Sequence, residues 1–197
     1  SFLDPRYTQS MEYETTVNTA IDAFSHALEG YITKRSTPAS DVIAKEAIRI
    51  FGECIKPLFK NEIDISVREK LLYMSMLAGM VISQTGTTIL HGMGYSLTYF
   101  KDIPHGMANG LLMYEYLRFN YDVLKEKIDN VLQLSGFSSL EEFGNTINSL
   151  IKYNEKISDE EIMLYTDLSM KQKSLAYNIK GILREDIEGI FKRSLSR

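Results

Sequence analysis

All three histidines of the 197-residue sequence stand in settings that suit metal chemistry. His91 and His105 lie fourteen residues apart in ILHGMGYSLTYFKDIPHG, each followed by a glycine. His26 follows Asp22 by four residues in IDAFSHALEG, a spacing that stacks two side chains on one face of a helix. On that helix Val17, Ile21, Phe24 and Leu28 form an apolar stripe, and Asp22 and His26 point roughly opposite to it. Two readings of the pair stand open, a solvent-facing Asp–His pair or two ligands reaching into a cleft. His91 and His105 are equally open, as core imidazoles satisfied by backbone carbonyls or as ligands. Gly92, Gly94 and Gly106 remove side chains beside them, which lets another backbone or a ligand approach. Together the four residues offer three imidazoles and one carboxylate. That set suits Fe(II) or Zn(II) and lacks the thiolates of a structural zinc site. One carboxylate cancels one of the two charges of a divalent ion, so the ion stays a strong Lewis acid.

Other chemistry finds no support. HGMGYS has Gly-x-Gly but neither a third glycine nor a preceding strand, so it is no dinucleotide fingerprint. There is no phosphate-binding loop, no Gly-x-Ser-x-Gly elbow and no His-Glu-x-x-His. The one cysteine, Cys54, falls on an apolar helical stripe with Ile43, Ala47, Ile50 and Leu58 and reads as core. It permits no internal disulfide and fits a reducing cytoplasm. A net charge of −4 argues against a nucleic-acid partner, and FKRSLSR reads as a solvated helix tail. No apolar run reaches the roughly 18 residues of a membrane span.

The elements that must position these side chains are helical. Prolines occur only at 5, 38, 57 and 104, and the stretches between them keep helical periodicity. STPASD reads as a loop and N-cap, and a further helix is predicted over residues 66–83, interrupted by QTGTT. The stretch 89–100 reads as helix or irregular. KDIPHG starts a helix, with Asp102 as cap and Pro104 in the first turn. SSLEEF and SDEEI start helices with acidic first turns, with breaks at SGFSS, EKISDEE and NIKG. The expectation is an all-α, compact multi-helix domain of eight to ten helices over residues 1–197.

AIDAFSHALEGY and HGMGYSLTYFKDIPHGMANGLLM resemble the two metal-binding segments of the iron-containing alcohol dehydrogenases. DPRYTQSM resembles the entry into that family's helical half, and NIKGILREDIEGIFKRSL its closing helix, so the resemblance covers nearly the whole chain. It implies that Asp22, His26, His91 and His105 bind one divalent metal, Fe(II) or in some relatives Zn(II). It also implies an α/β N-terminal domain that binds NAD(P), with hydride transfer to or from a small alcohol or aldehyde in the cleft between the domains. Nothing in these residues supplies that domain. The expectation is therefore a C-terminal, cytoplasmic piece of a longer enzyme, inactive alone and a candidate homo-oligomer.

Two positions depart from the family pattern. Many relatives carry a histidine where this chain has Tyr95, which leaves Tyr95 as the candidate for substrate contact or proton relay. Relatives often show Asn-Pro at Asn178-Ile179, a change expected to touch only a loop. Met93, Leu97, Phe100 and Met107 are read either as lining for a small aliphatic substrate or as plain core. Zinc-dependent glycerol dehydrogenase-like or dehydroquinate synthase-like chemistry is the nearest alternative, and a metal-free helical interaction module the more distant one.

Overall fold

The computed structural model describes residues 2–151, 153 and 156–195, so the tail residues 196–197 and part of the 151–158 connection lie outside the described residues. Among the described residues there are eight α-helices, two short 3-10 helices and no strand beyond an isolated antiparallel bridge between Thr33 and Asn178. The helices are α1 (Tyr13–Ile32), α2 (Pro38–Lys60), α3 (Ile65–Thr85), α4 (Ile89–Lys101), α5 (His105–Ser135), α6 (Leu140–Leu150), α7 (Asp159–Ser169) and α8 (Arg184–Leu195). The expected all-α architecture and its helix count are what the structure has.

Local chemistry explains most boundaries. Thr37 caps α2 in a reciprocal capping box with Ser40, and Pro38 occupies the first turn, where a missing N–H costs nothing. Ser139 caps α6, and Ser158 with Glu161 forms a capping box on α7. Gly86 and Gly136, both at positive φ, end α3 and α5. The stretch expected as helix or irregular is helix, α4. Asp102 differs from expectation. It does not cap α5 but ends α4 in the left-handed region at φ 51°, a conformation aspartate tolerates better than most residues. Pro104 is the residue that precedes α5, with extended ψ. α5 runs on past Tyr121 to Ser135, with non-helical angles at Leu124.

α1 is the centre of the domain. α2, α3 and α5 pack around it, α4 lies against α5 and α7, and α8 closes on α5 and α7. Its Phe24 ring stacks on Phe51 of α2 at 4.2 Å and meets Phe143 of α6 at 5.8 Å. Gly30 faces Val81 and Thr85 of α3 with no room for a methyl group. α1 is thus covered on more than its apolar stripe, and the face carrying Asp22 and His26 turns toward α4 and α5 rather than open water. Cys54 is fully buried, as expected of a core thiol, and burial pushes its pKa up to about 11.

Candidate metal centre

Three helices deliver the four candidate ligands. α1 carries Asp22 and His26 one turn apart. α4 carries His91 at its third residue, and α5 opens with His105. Only Asp102, Ile103 and Pro104 join α4 to α5, so the reversal of the chain brings His105 back toward His91, with ring centroids 5.1 Å apart. Gly106 lets the start of α5 approach the α1 backbone at Asn18, next to Asp22.

Donor atoms converge from all three helices. His91 Nε2 lies 3.6 Å and His105 Nε2 3.8 Å from Asp22 Oδ1, and His26 Nδ1 lies 3.9 Å from Asp22 Oδ2. Asp22, His26 and His91 each offer a ligand atom within 4.8 Å of the other two. Two donors on one tetrahedral ion, each about 2.0–2.2 Å from it, stand about 3.3–3.6 Å apart. The spacing seen here is at or slightly above that range, and side-chain rotation closes the rest. A second observation supports the fit. The Asn109 amide nitrogen sits 3.2 Å from Asp22 Oδ1, 3.2 Å from His91 Nε2 and 3.3 Å from His105 Nε2, so atoms of three candidate ligands surround one position. The Asn109 Oδ1 beside it is buried without a partner.

The electrostatics suit ligands. Burial pushes the Asp22 carboxyl up, but the His91 ring beside it and the charges of the imidazoles outweigh burial and hold it below the usual carboxylate range. Burial lowers His26, helped by the charge on His91. Burial also lowers His105, and Asp22 opposes that only in part. Both rings therefore keep a free lone pair at neutral pH. His91 goes the other way. Burial disfavours its charge, yet the carboxylates of Glu29 and Asp22 push it up to about 9.

Tyr95 lies at the mouth. It is about half exposed, its ring stacks on His105 at 5.3 Å with 9° between planes, and it meets the edge of His91 at 6.4 Å. Burial, with Glu29 and Asp22 nearby, raises its phenol, so it holds its proton at neutral pH. The candidate pocket lining divides. Met93 and Leu97 are fully buried core, Phe100 stacks on Tyr165 at 5.4 Å, and Met107 packs as a partly buried neighbour of the core.

Two buried residues of this region, Glu29 and Asn109, escaped the sequence reading. Glu29 is fully buried, and its carboxylate bonds to His91 Nδ1. Its position three residues after His26 carried the one available hint. Asn109, four residues after His105, shares that helix face. Asn178, beside the departing Ile179, is buried and accepts from the Tyr116 hydroxyl at 3.1 Å and the Ile89 N–H at 3.3 Å.

The family model described as Fe-containing alcohol dehydrogenase family, C-terminal, matches residues 16–195. The chain belongs to that family. It superimposes on an iron-containing alcohol dehydrogenase from Thermotoga maritima with a TM-score of 0.88 and 38% identity, over 100% of this chain and 53% of that one. It is similar to 1,3-propanediol dehydrogenase of Klebsiella pneumoniae, 27% identical over 94% of this chain and 49% of the relative. It is also similar to an NAD-dependent methanol dehydrogenase of Bacillus methanolicus, 25% identical over 99% of this chain and 55% of the relative. The chain thus spans about half the length of the curated relatives it matches. Among the described residues no helix is long and apolar enough to cross a membrane.

Proposed function

We propose that Asp22, His26, His91 and His105 bind one divalent cation, iron or zinc, and that this domain is the metal-holding half of an NAD(P)-dependent alcohol dehydrogenase. The observation that supports the reading is that His26 of α1, His91 of α4 and His105 of α5 each bring a ring nitrogen to 3.9, 3.6 and 3.8 Å from the Asp22 carboxylate, with Asp22, His26 and His91 mutually close enough to share an ion. Bound there, a divalent cation supplies Lewis-acid polarisation of an alcohol or aldehyde oxygen, and a nicotinamide gives or takes the hydride. The chain's own residues do the rest. Asp22 brings the negative charge, and His26 and His105 bring neutral nitrogens. Tyr95 holds its proton at Oη beside His105 and donates a hydrogen bond to the substrate oxygen. The nicotinamide is held by a separate N-terminal nucleotide-binding domain, and the substrate is a small alcohol or aldehyde such as those in the relatives' names. A reducing, cytoplasmic setting fits the buried thiol, and assembly into a homo-oligomer fits the same enzyme class.

The test is metal reconstitution. Zn(II) or Fe(II) at about 100 times its dissociation constant raises stability by roughly 2.7 kcal/mol. Asp22→Ala and His105→Ala abolish that rise, and elemental analysis of the unaltered protein finds one ion per chain. A rise that survives both substitutions, or indifference to chelators, removes these residues from a metal site and favours a helical interaction module. In the full-length protein, short alcohols, aldehydes and glycerol, assayed with NAD and NADP, separate the dehydrogenase reading from glycerol dehydrogenase-like chemistry.

A further inference from the structure

We infer that Glu29 is the residue that commits His91 to its ligand role, fixing which ring nitrogen faces the candidate cation and adding a second negative charge behind it. This rests on the metal-binding reading above. Glu29 is fully buried on α1, where an isolated carboxylate costs far more than folding can supply unless every oxygen is satisfied. The satisfaction is one-sided. Oε1 accepts the Thr88 N–H at 2.9 Å, the Thr88 hydroxyl and, more weakly, the His91 N–H at 3.4 Å. Oε2 bonds to His91 Nδ1. All of these partners serve as donors, so the carboxylate acts as acceptor only, and His91 must carry its proton on Nδ1. Nε2 is then the nitrogen that faces Asp22 Oδ1.

The arrangement extends inward. The Thr88 hydroxyl lies 2.8 Å from the Tyr116 hydroxyl, which also lies 3.1 Å from Asn178 Oδ1. Thr88, Tyr116 and Asn178 are all buried, so the carboxylate has no water to turn toward. It is held by the start of α4, whose Thr88 is in turn backed by Tyr116 of α5. Ligating histidines commonly donate their second N–H to a carboxylate, which fixes the ring and raises its basicity. Glu29 also changes the charge count. Asp22 alone leaves a divalent ion with an excess positive charge, whereas Asp22 and Glu29 together match it.

Glu29→Gln isolates the effect, because it keeps the shape and replaces one acceptor with a donor. An amide that accepts from Thr88 presents its NH2 to His91 Nδ1, which forces the ring proton onto Nε2 and removes the ligand lone pair. The expected result in the full-length protein is a Zn(II) dissociation constant weaker by about 10–100-fold, measured by chelator competition. Nitrogen-15 NMR of the unaltered, Zn(II)-loaded protein gives a readout that does not depend on the variant folding. His91 is expected to show a protonated Nδ1 and a zinc-bound Nε2. Equal affinity in Glu29→Gln, or zinc on Nδ1 of His91, overturns the role of Glu29 and leaves the metal site standing. Failure of the unaltered protein to bind metal overturns both.

Discussion

Gly106 offers the sharpest test of how the fold makes the site. A Cβ built at this position would lie 2.8 Å from the Asn18 carbonyl carbon, closer still to its oxygen, and 3.1 Å from Asp22 Cβ. Non-bonded carbons settle at about 3.5–4.0 Å, and the oxygen contact is tighter still, so the start of α5 and α1 must separate by at least about 1 Å in Gly106→Ala. The obstacle is backbone, which cannot rotate aside. His105 Nε2 now stands 3.8 Å from Asp22 Oδ1. A retreat of about 1 Å takes that separation beyond about 4.2–4.4 Å, the most that two donors on one ion of this kind can span. The variant is therefore expected to lose about 1–3 kcal/mol of stability to overpacking and to lose Zn(II) affinity at least tenfold as well. Thermal denaturation with and without Zn(II) reads both effects. Gly106→Ala with unaltered melting temperature and unaltered zinc affinity would refute the claim that this contact sets the ligand geometry.

The remaining predictions address separate parts of the molecule. Gly79→Ala, at an exposed position of α3 with nothing within 4 Å of the added methyl, should stabilise the fold by about 0.5–1 kcal/mol in urea unfolding. His91, pushed up to about 9, gains a proton that its unfolded form, with an ordinary value near 6.5, binds less tightly. Its stabilising contribution in metal-free protein is thus complete below about pH 6.5 and fades as pH rises through about 9, visible as a falling melting temperature. The same proton competes with a cation at Nε2, so zinc affinity should rise by about tenfold per pH unit from near neutral up to about pH 9. A pH-independent affinity would show that His91 is no ligand. Cys54, with its thiol pushed up to about 11 inside the core, should resist alkylation in native buffer and react at once in denaturant.

How much of this could be read from residues alone depends on the range of the interaction. Helix starts at Thr37, Ser139 and Ser158 were legible because a cap is a contact between neighbours in sequence. The Asp22–His26 pair was legible for the same reason. Asp102 shows where local rules run out. An aspartate two residues before a proline suits the start of one helix and the end of another, and the short α4–α5 connection decides for the latter. The wheel of α1 misleads in a related way. It shows an apolar stripe and a polar face, yet cannot say whether the polar face meets water or other helices, and here it meets α4 and α5.

Glu29 was illegible for a stronger reason. Its partners Thr88 and His91 are 59 and 62 residues away, and Tyr116 and Asn178 extend the same network from α5 and from the segment before α8. Read along the chain, HALEG offers a glutamate on a helix, an ordinary solvent-facing residue. Only the packing of α1 against the start of α4 turns it into a buried carboxyl group with a candidate metal ligand as its neighbour. That placement revises the charge argument drawn from the sequence, where one carboxylate faced a divalent ion. With the second carboxylate one imidazole away, the proposed site would oppose the ion's charge while leaving its coordination sphere to three nitrogens and one oxygen. A cation held this way would be attracted by two negative charges but directly bound by one, and so would stay open to a further oxygen ligand.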